Sequence, residues 1–225
     1  MSKIAVFVEG RSELIFVRNF LRAWYRYDSE QIGLDCYVLN SGVQLAVDGD
    51  MWTYGSEQSQ HYYQLIQVGN DNTVLSRILS HAETMHQAGF ELIIGLRDMF
   101  QDAYHAECKG KRRIDSAINQ LFINSAEESI RLSAHYDKLR IHFAIMEVEA
   151  WFIALLTPEE DFDPETDSEY YHPYMKLSQM RESYGKHRGD VEAITMPWQK
   201  EDYECLLKSG RCRSFKSFVE SLVSL

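Results

Sequence analysis

The sequence predicts an α/β protein, and three observations carry the prediction. Short runs of β-branched and aromatic residues recur along the chain, stretches with helical spacing separate them, and three of the best runs end in a carboxylate. The run "KIAVFV" at 3–8 reads as a strand buried on both faces and is stopped by Gly10. From Ser12 the period changes, with Leu14, Val17, Leu21 and Trp24 on one side of a helix. Further strands are expected at 34–39, 62–68, 91–96 and 140–146, with 44–47 as a hairpin arm. Helices are expected at 70–89, where "NDNT" supplies a capping start, at 114–132 and at 148–156. This alternation implies a mostly parallel sheet flanked by helices.

After Leu156 the character changes. "TPEEDFDPETDSEYYHP" is acidic and holds three of the four prolines, so it reads as an exposed excursion. Two weaker helices are expected near 174–184 and 214–224. Residues 1–156 therefore read as one α/β domain, and 157–225 as a small, mainly helical C-terminal extension packed on it.

Composition narrows the function classes. With 225 residues, 45% hydrophobic and 25% charged, the chain can bury one full core. No apolar run approaches the roughly 18 residues of a membrane span, and 3–8 is too short for a signal peptide, so a cytoplasmic protein without a membrane partner is expected. The four cysteines are scattered and contain no C-x-x-C pair, which speaks against a disulfide framework or a zinc site. A formal charge of −11 disfavours non-specific coating of nucleic acid, yet it suits a protein that gathers divalent cations.

The carboxylates set the functional expectation. "KIAVFV" runs into Glu9, "ELIIGLR" into Asp98 and "RIHFAIM" into Glu147. In an open parallel sheet the carboxyl ends of the strands share one edge, where ligands bind. Glu13 and Asp102, each four residues on from Glu9 and Asp98, would add a second layer. Glu149 follows Glu147 by two, so within one helix the pair would face different sides, and one of them is expected at the site. Clustered carboxylates repel unless a cation compensates, and hard oxygen ligands suit Mg²⁺ or Mn²⁺. An acid after a strand is also an ordinary N-cap for the helix that follows, which holds for any one of these positions alone. Gly10 is expected to let the chain turn and a phosphate approach.

Several motifs together resemble a known family. "VEGRSE" resembles the E-G-x-[ST]-E opening of Toprim domains in OLD-type nucleases and their stand-alone bacterial relatives. "IGLRDMFQD" is similar to the strand bearing the family's D-x-D, "MEVEAW" to an E-x-E-A-W segment, and "CRSFKSF" to an S-F-x-x-F tail. The resemblance implies a Toprim-like fold that coordinates Mg²⁺ and cleaves phosphodiester bonds, with Glu9 and Asp98 catalytic and Glu13 the neighbouring acid. The chain departs from the pattern at Phe100, where the second aspartate of D-x-D would stand; Asp102 is the candidate replacement. No G-x-x-x-x-G-K-[ST] occurs, so the resemblance to defence-associated systems, phage defence among them, places any ATPase on a partner in trans.

Basic residues complete the expectation. Lys109, Lys111, Arg112 and Arg113 form a run after Asp98 and Asp102 that would hold a nucleic-acid backbone if it lies on the catalytic edge, and otherwise is a solvated loop. His105 stands near that run, and 186–189 and 208–213 are further basic stretches. "DFDPETDSE" departs from a calcium loop at its fourth, sixth and last positions. The functional expectation is a metal-dependent nuclease, with self-association open. Its alternative is a non-catalytic subunit that keeps the fold and binds a partner protein or nucleic acid.

Overall fold

A computed structural model describes residues 1–40, 42–47, 52–69, 73–182, 184–185 and 187–223. The capping start expected at 70–72 and residue 186 of a basic stretch lie outside these residues. One mixed sheet forms the centre. Its strands are β1 (Ser2–Val8), β2 (Ile32–Asn40), β3 (Val43–Ala46), β4 (Thr53–Tyr54), β5 (His61–Gln67), β6 (Leu92–Asp98) and β7 (Leu139–Ala144), in the order β3-β2-β5-β1-β6-β7 with β4 beside β2. β2, β5, β1, β6 and β7 run parallel, whereas β3 and β4 are antiparallel additions to β2.

β1 explains why the central strands read as unbroken apolar runs. Ile4, Val6 and Val8 enter one core and Ala5 and Phe7 the other, so neither face meets water. α1 (Arg11–Trp24) packs on the first face, and α2 (Val74–Gln87) on the second. The chain thus leaves β1 toward β2 across one face and returns through α2 to place β6 on the opposite flank of β1. The strand order reverses between β1 and β6, and this is where an open α/β sheet forms its ligand crevice. At Gly95, opposite α2, a Cβ would stand 2.7 Å from Ile141 Cδ1 and 3.0 Å from Val74 Cγ1, so only glycine admits so close a helix.

α3 (Asp102–Glu107) and α4 (Ser116–Arg131) link β6 to β7, and α5 (Glu149–Leu156) follows β7 on the α1 face. Beyond residue 156 the described residues form four α-helices where two were expected: α6 (Pro173–Met180), α7 (Arg188–Thr195), α8 (Lys200–Ser209) and α9 (Arg213–Val223). α7 and α8 are short and largely polar, and they are held by what they bury: Val191, Tyr203 and Leu206 join the α1 core. Phe16 of α1 is a hub there, 5.7 Å from Trp151, 5.3 Å from Phe152 and 6.3 Å from Phe215 by ring centroids. Arg18, fully buried on the same helix, lies 4.6 Å over the Trp52 ring and pairs with Glu192 of α7 at 3.3 Å. Burial lowers its pKa while Glu192 opposes that fall, so the guanidinium is retained as a charge inside the fold.

The acidic stretch after Leu156 is exposed at Glu159, Glu160, Asp161, Asp167 and Glu169, as expected, but Asp163 is half-buried and Glu165 buried. Asp163 Oδ1 accepts the Cys212 N–H at 3.1 Å, and Glu165 Oε2 accepts the Ser214 N–H at 3.0 Å. Glu165 Oε1 accepts from Trp151 Nε1 at 2.9 Å and from the Ser214 hydroxyl. These acids serve the unsatisfied amides at the start of α9, the reason carboxylates favour helix N-termini. Burial pushes the Glu165 carboxyl up to about 7 from 4.5, against the hydrogen bonds from Ser214 and Trp151 that lower it. Because the folded value is raised, the stability this group contributes is complete below about 4.5 and is lost as pH rises through about 7. We expect Glu165→Gln to gain stability relative to the parent protein as pH rises across that window, read by urea unfolding at several pH values. A difference independent of pH would contradict the buried, proton-binding Glu165.

Candidate metal centre

The three strand ends are tied together by backbone amides. Glu9, half-buried after β1, accepts the Asp98 N–H on Oε2 at 3.0 Å. Asp98, buried at the end of β6, accepts the Val148 N–H on Oδ1 at 2.9 Å. Beyond β6 and β7 the two chains continue to pair, with Met99 N–H to Ala144 O at 2.9 Å and Phe100 N–H to Met146 O at 2.7 Å. Met146, fully buried, takes the left-handed conformation at φ 67°. A non-glycine residue held there costs of order 1–3 kcal/mol, and such strain collects where the chain must aim a side chain.

That turn aims Glu147. It lies ahead of α5 rather than inside it, so helical spacing does not apply and the expectation that Glu147 and Glu149 diverge is overturned. One carboxylate oxygen from each of Asp98, Glu147 and Glu149 lies within 4.8 Å of the others, and Asp98 and Glu149 are buried. At an effective dielectric near 20, each like-charged pair at such a distance repels by roughly 3 kcal/mol or more. All-oxygen donors converging in a partly dry site are the chemistry of a hard cation, and the cluster could hold a metal ion.

The segment after residue 156 completes the site, which no pattern in the sequence signalled. Glu147 Oε2 accepts the Tyr174 N–H at 2.9 Å, and Glu149 Oε1 accepts the Tyr184 hydroxyl at 2.6 Å. Burial, then the Glu149 charge, raises the Tyr184 pKa, with Glu13 and Glu147 adding to the rise. Tyr184 therefore stays a donor, and the Glu13 charge reaches the same place.

The remaining expected residues divide. Glu9 stands beside the three-carboxylate group, not within it. Glu13 is buried and its Oε2 accepts the Gly10 N–H at 2.8 Å, so it caps α1; among the described residues it is not one of the clustered acids. Gly10 itself is extended at φ −126° and ψ −171°, which any residue adopts. Its lack of a side chain serves the cap instead, since a Cβ would meet Glu13 Oε2 at 2.8 Å. Asp102 is exposed in the first turn of α3 and does not replace the missing aspartate in the cluster. Phe100 lies edge-on to His172 at 4.7 Å and to Tyr171 at 5.5 Å, so an aromatic contact fills the region after Asp98.

Lys109, Lys111, Arg112 and Arg113 are all exposed between α3 and α4. Arg113 is committed locally, pairing at 2.6 Å with Asp115, which caps α4. The charge of Arg112 reaches Tyr171 and His172. A cavity of about 610 Å³ lies elsewhere, along the outer edge of β7 between α4 and α9, and none of the three clustered carboxylates lines it.

No family model, curated protein or solved structure matches the chain. Among the described residues no helix is long and apolar enough to cross a membrane. The site therefore rests on its geometry. Removing one donor tests that geometry: Tyr184→Phe takes away the hydroxyl on Glu149 and is expected to cost about 1.5–3 kcal/mol of unfolding free energy in urea. A cost below about 0.5 kcal/mol, within ordinary surface effects, would show that Tyr184 does not hold this carboxylate.

Proposed function

We propose that the protein is a metal-dependent nuclease of Toprim-like organisation, cleaving a phosphodiester bond at the carboxyl edge of its sheet. The convergence of Asp98, Glu147 and Glu149 at that edge, where strand order reverses, carries the reading. These three side chains fit Mg²⁺ or Mn²⁺ by the hardness of their donors. An ion bound there would supply Lewis-acid activation of water and of the scissile phosphate. Asp98 is fixed by the Val148 amide, Glu147 by the Tyr174 amide and Glu149 by the Tyr184 hydroxyl, so each keeps its orientation without rearrangement. Glu9, fastened to the Asp98 amide, is placed to accept a proton beside the cluster.

Phe100 favours a second reading. Its ring packs on His172 and Tyr171 where the second aspartate of the family motif would stand, as expected of a subunit that keeps the fold and binds a partner or nucleic acid without cutting.

The test is cleavage of single- and double-stranded DNA and RNA with Mn²⁺ or Mg²⁺. We expect cleavage by the parent protein and a loss of about 100-fold or more in Asp98→Asn and Glu147→Gln, with both variants folded. Equal cleavage by all three proteins would identify a contaminant and overturn the proposal. No cleavage by any of them would favour the binding subunit.

A further inference from the structure

A phosphodiester approaching three carboxylates needs positive or donor groups on the side the carboxylates leave open. We propose that His105, Arg112 and His172 form that subsite and take a backbone phosphate of the nucleic acid; this rests on the nuclease reading above.

His172 stands at the entry to α6, immediately before Pro173 and two residues ahead of Tyr174, whose amide holds Glu147. The imidazole is thereby carried on the same turn as the amide that holds Glu147. It is fixed by rings: Phe100 lies 4.7 Å away at 65°, and Tyr171 lies 4.8 Å away at 81°. His105 reaches the same group from α3, its Nδ1 sharing a hydrogen bond with the Tyr171 hydroxyl at 3.1 Å. Two segments far apart in sequence thus place two imidazoles on one tyrosine.

Arg112 is the remaining member, exposed in the loop that follows α3, the helix carrying His105. Burial lowers the His172 pKa; Glu147 then raises it, while Arg112 and His105 lower it. The imidazole thus feels both a clustered carboxylate and the exposed Arg112 guanidinium. Neutral His172 donates one N–H, and Arg112 supplies the charge and a planar fork matched to phosphate oxygens. Arg112 also differs from Arg113 beside it, whose guanidinium is held by Asp115.

Phe100 acquires a role in this arrangement. A carboxylate at that position would set a negative charge against an incoming phosphate, whereas the phenyl ring carries none and supports His172 edge-on. The departure from the family motif then marks the side on which substrate lies.

The experiment follows the ring-proton resonances of His105 and His172 in the full-length protein, assigned with His105→Gln and His172→Gln, during titration with inorganic phosphate and with a thymidine hexanucleotide. Both resonances are expected to move together and saturably with each probe. The resonance of His135, hydrogen-bonded to Glu83 on α2, should stay in place. Arg112→Gln, an exposed substitution, is expected to weaken hexanucleotide binding by about tenfold or more without changing thermal unfolding. Unmoved His105 and His172 resonances, or unchanged affinity in Arg112→Gln, would overturn the subsite. Movement with phosphate and none with the hexanucleotide would overturn the nucleic-acid assignment in favour of a small phosphorylated ligand. The cleavage assay separates this proposal from the one beneath it. A parent protein that cuts, with Arg112→Gln cutting at unchanged KM, keeps the nuclease and removes the subsite. A parent protein that does not cut, with both resonances moving, keeps the subsite and removes the nuclease.

Discussion

Like charges confined at a strand edge are the constraint around which this protein is arranged. Asp98, Glu147 and Glu149 bring oxygens within 4.8 Å of one another at the end of a sheet packed between two hydrophobic cores. Left alone, such a cluster would spread toward water, and much of the surrounding structure works against that. The Asp98 amide is given to Glu9, the Val148 amide to Asp98 and the Tyr174 amide to Glu147, so the chain's own dipoles converge on the acids. Met146, strained into the left-handed region, turns the chain so that Glu147 and Glu149 meet Asp98 instead of diverging along a helix.

The same constraint explains why the C-terminal helices are bound so firmly to the sheet. Tyr174 and Tyr184 reach the acids only if α6 and the segment after it stay in place, and α6 packs beside α5. Further anchors hold this half down. Arg18 joins α1 to Glu192 of α7, the aromatic hub at Phe16 gathers α5, α8 and α9, and Glu165 with Asp163 fastens the acidic stretch to the start of α9. A buried arginine and buried carboxylates are poor sources of net stability, but each is satisfied by particular partners, which favours one arrangement over many.

The central strands β1 and β6 were legible because each is buried on both faces and so reads as a continuous apolar run ending in a turn. Asp98 and Glu147 were legible for the same reason: an acid ending such a run must lie on the carboxyl edge. Only the relation between Glu147 and Glu149 was misjudged, since a spacing of two was taken as helical when the helix begins at Glu149 itself. Glu13 carries two signals in one residue, a family acid and a capping acid; it caps α1, and its charge also reaches Tyr184. Tyr184 lies 35 residues from Glu149 and Tyr174 lies 27 from Glu147, distances over which no periodicity connects a donor to its acceptor. The acidic stretch was legible as exposed except at Asp163 and Glu165, whose charge suggests water but which face amides that need acceptors. α7 and α8 were illegible because their few apolar residues form helices by packing on α1 and α5 and not by pattern.

The central claim is that these acids hold a cation. Crystals grown with Mn²⁺ and measured at the manganese absorption edge test it most directly. Our account expects an anomalous peak between Asp98, Glu147 and Glu149, with Tyr174 and Tyr184 still on their carboxylates. Absence of a peak there at millimolar Mn²⁺, with those two hydrogen bonds intact, would contradict it.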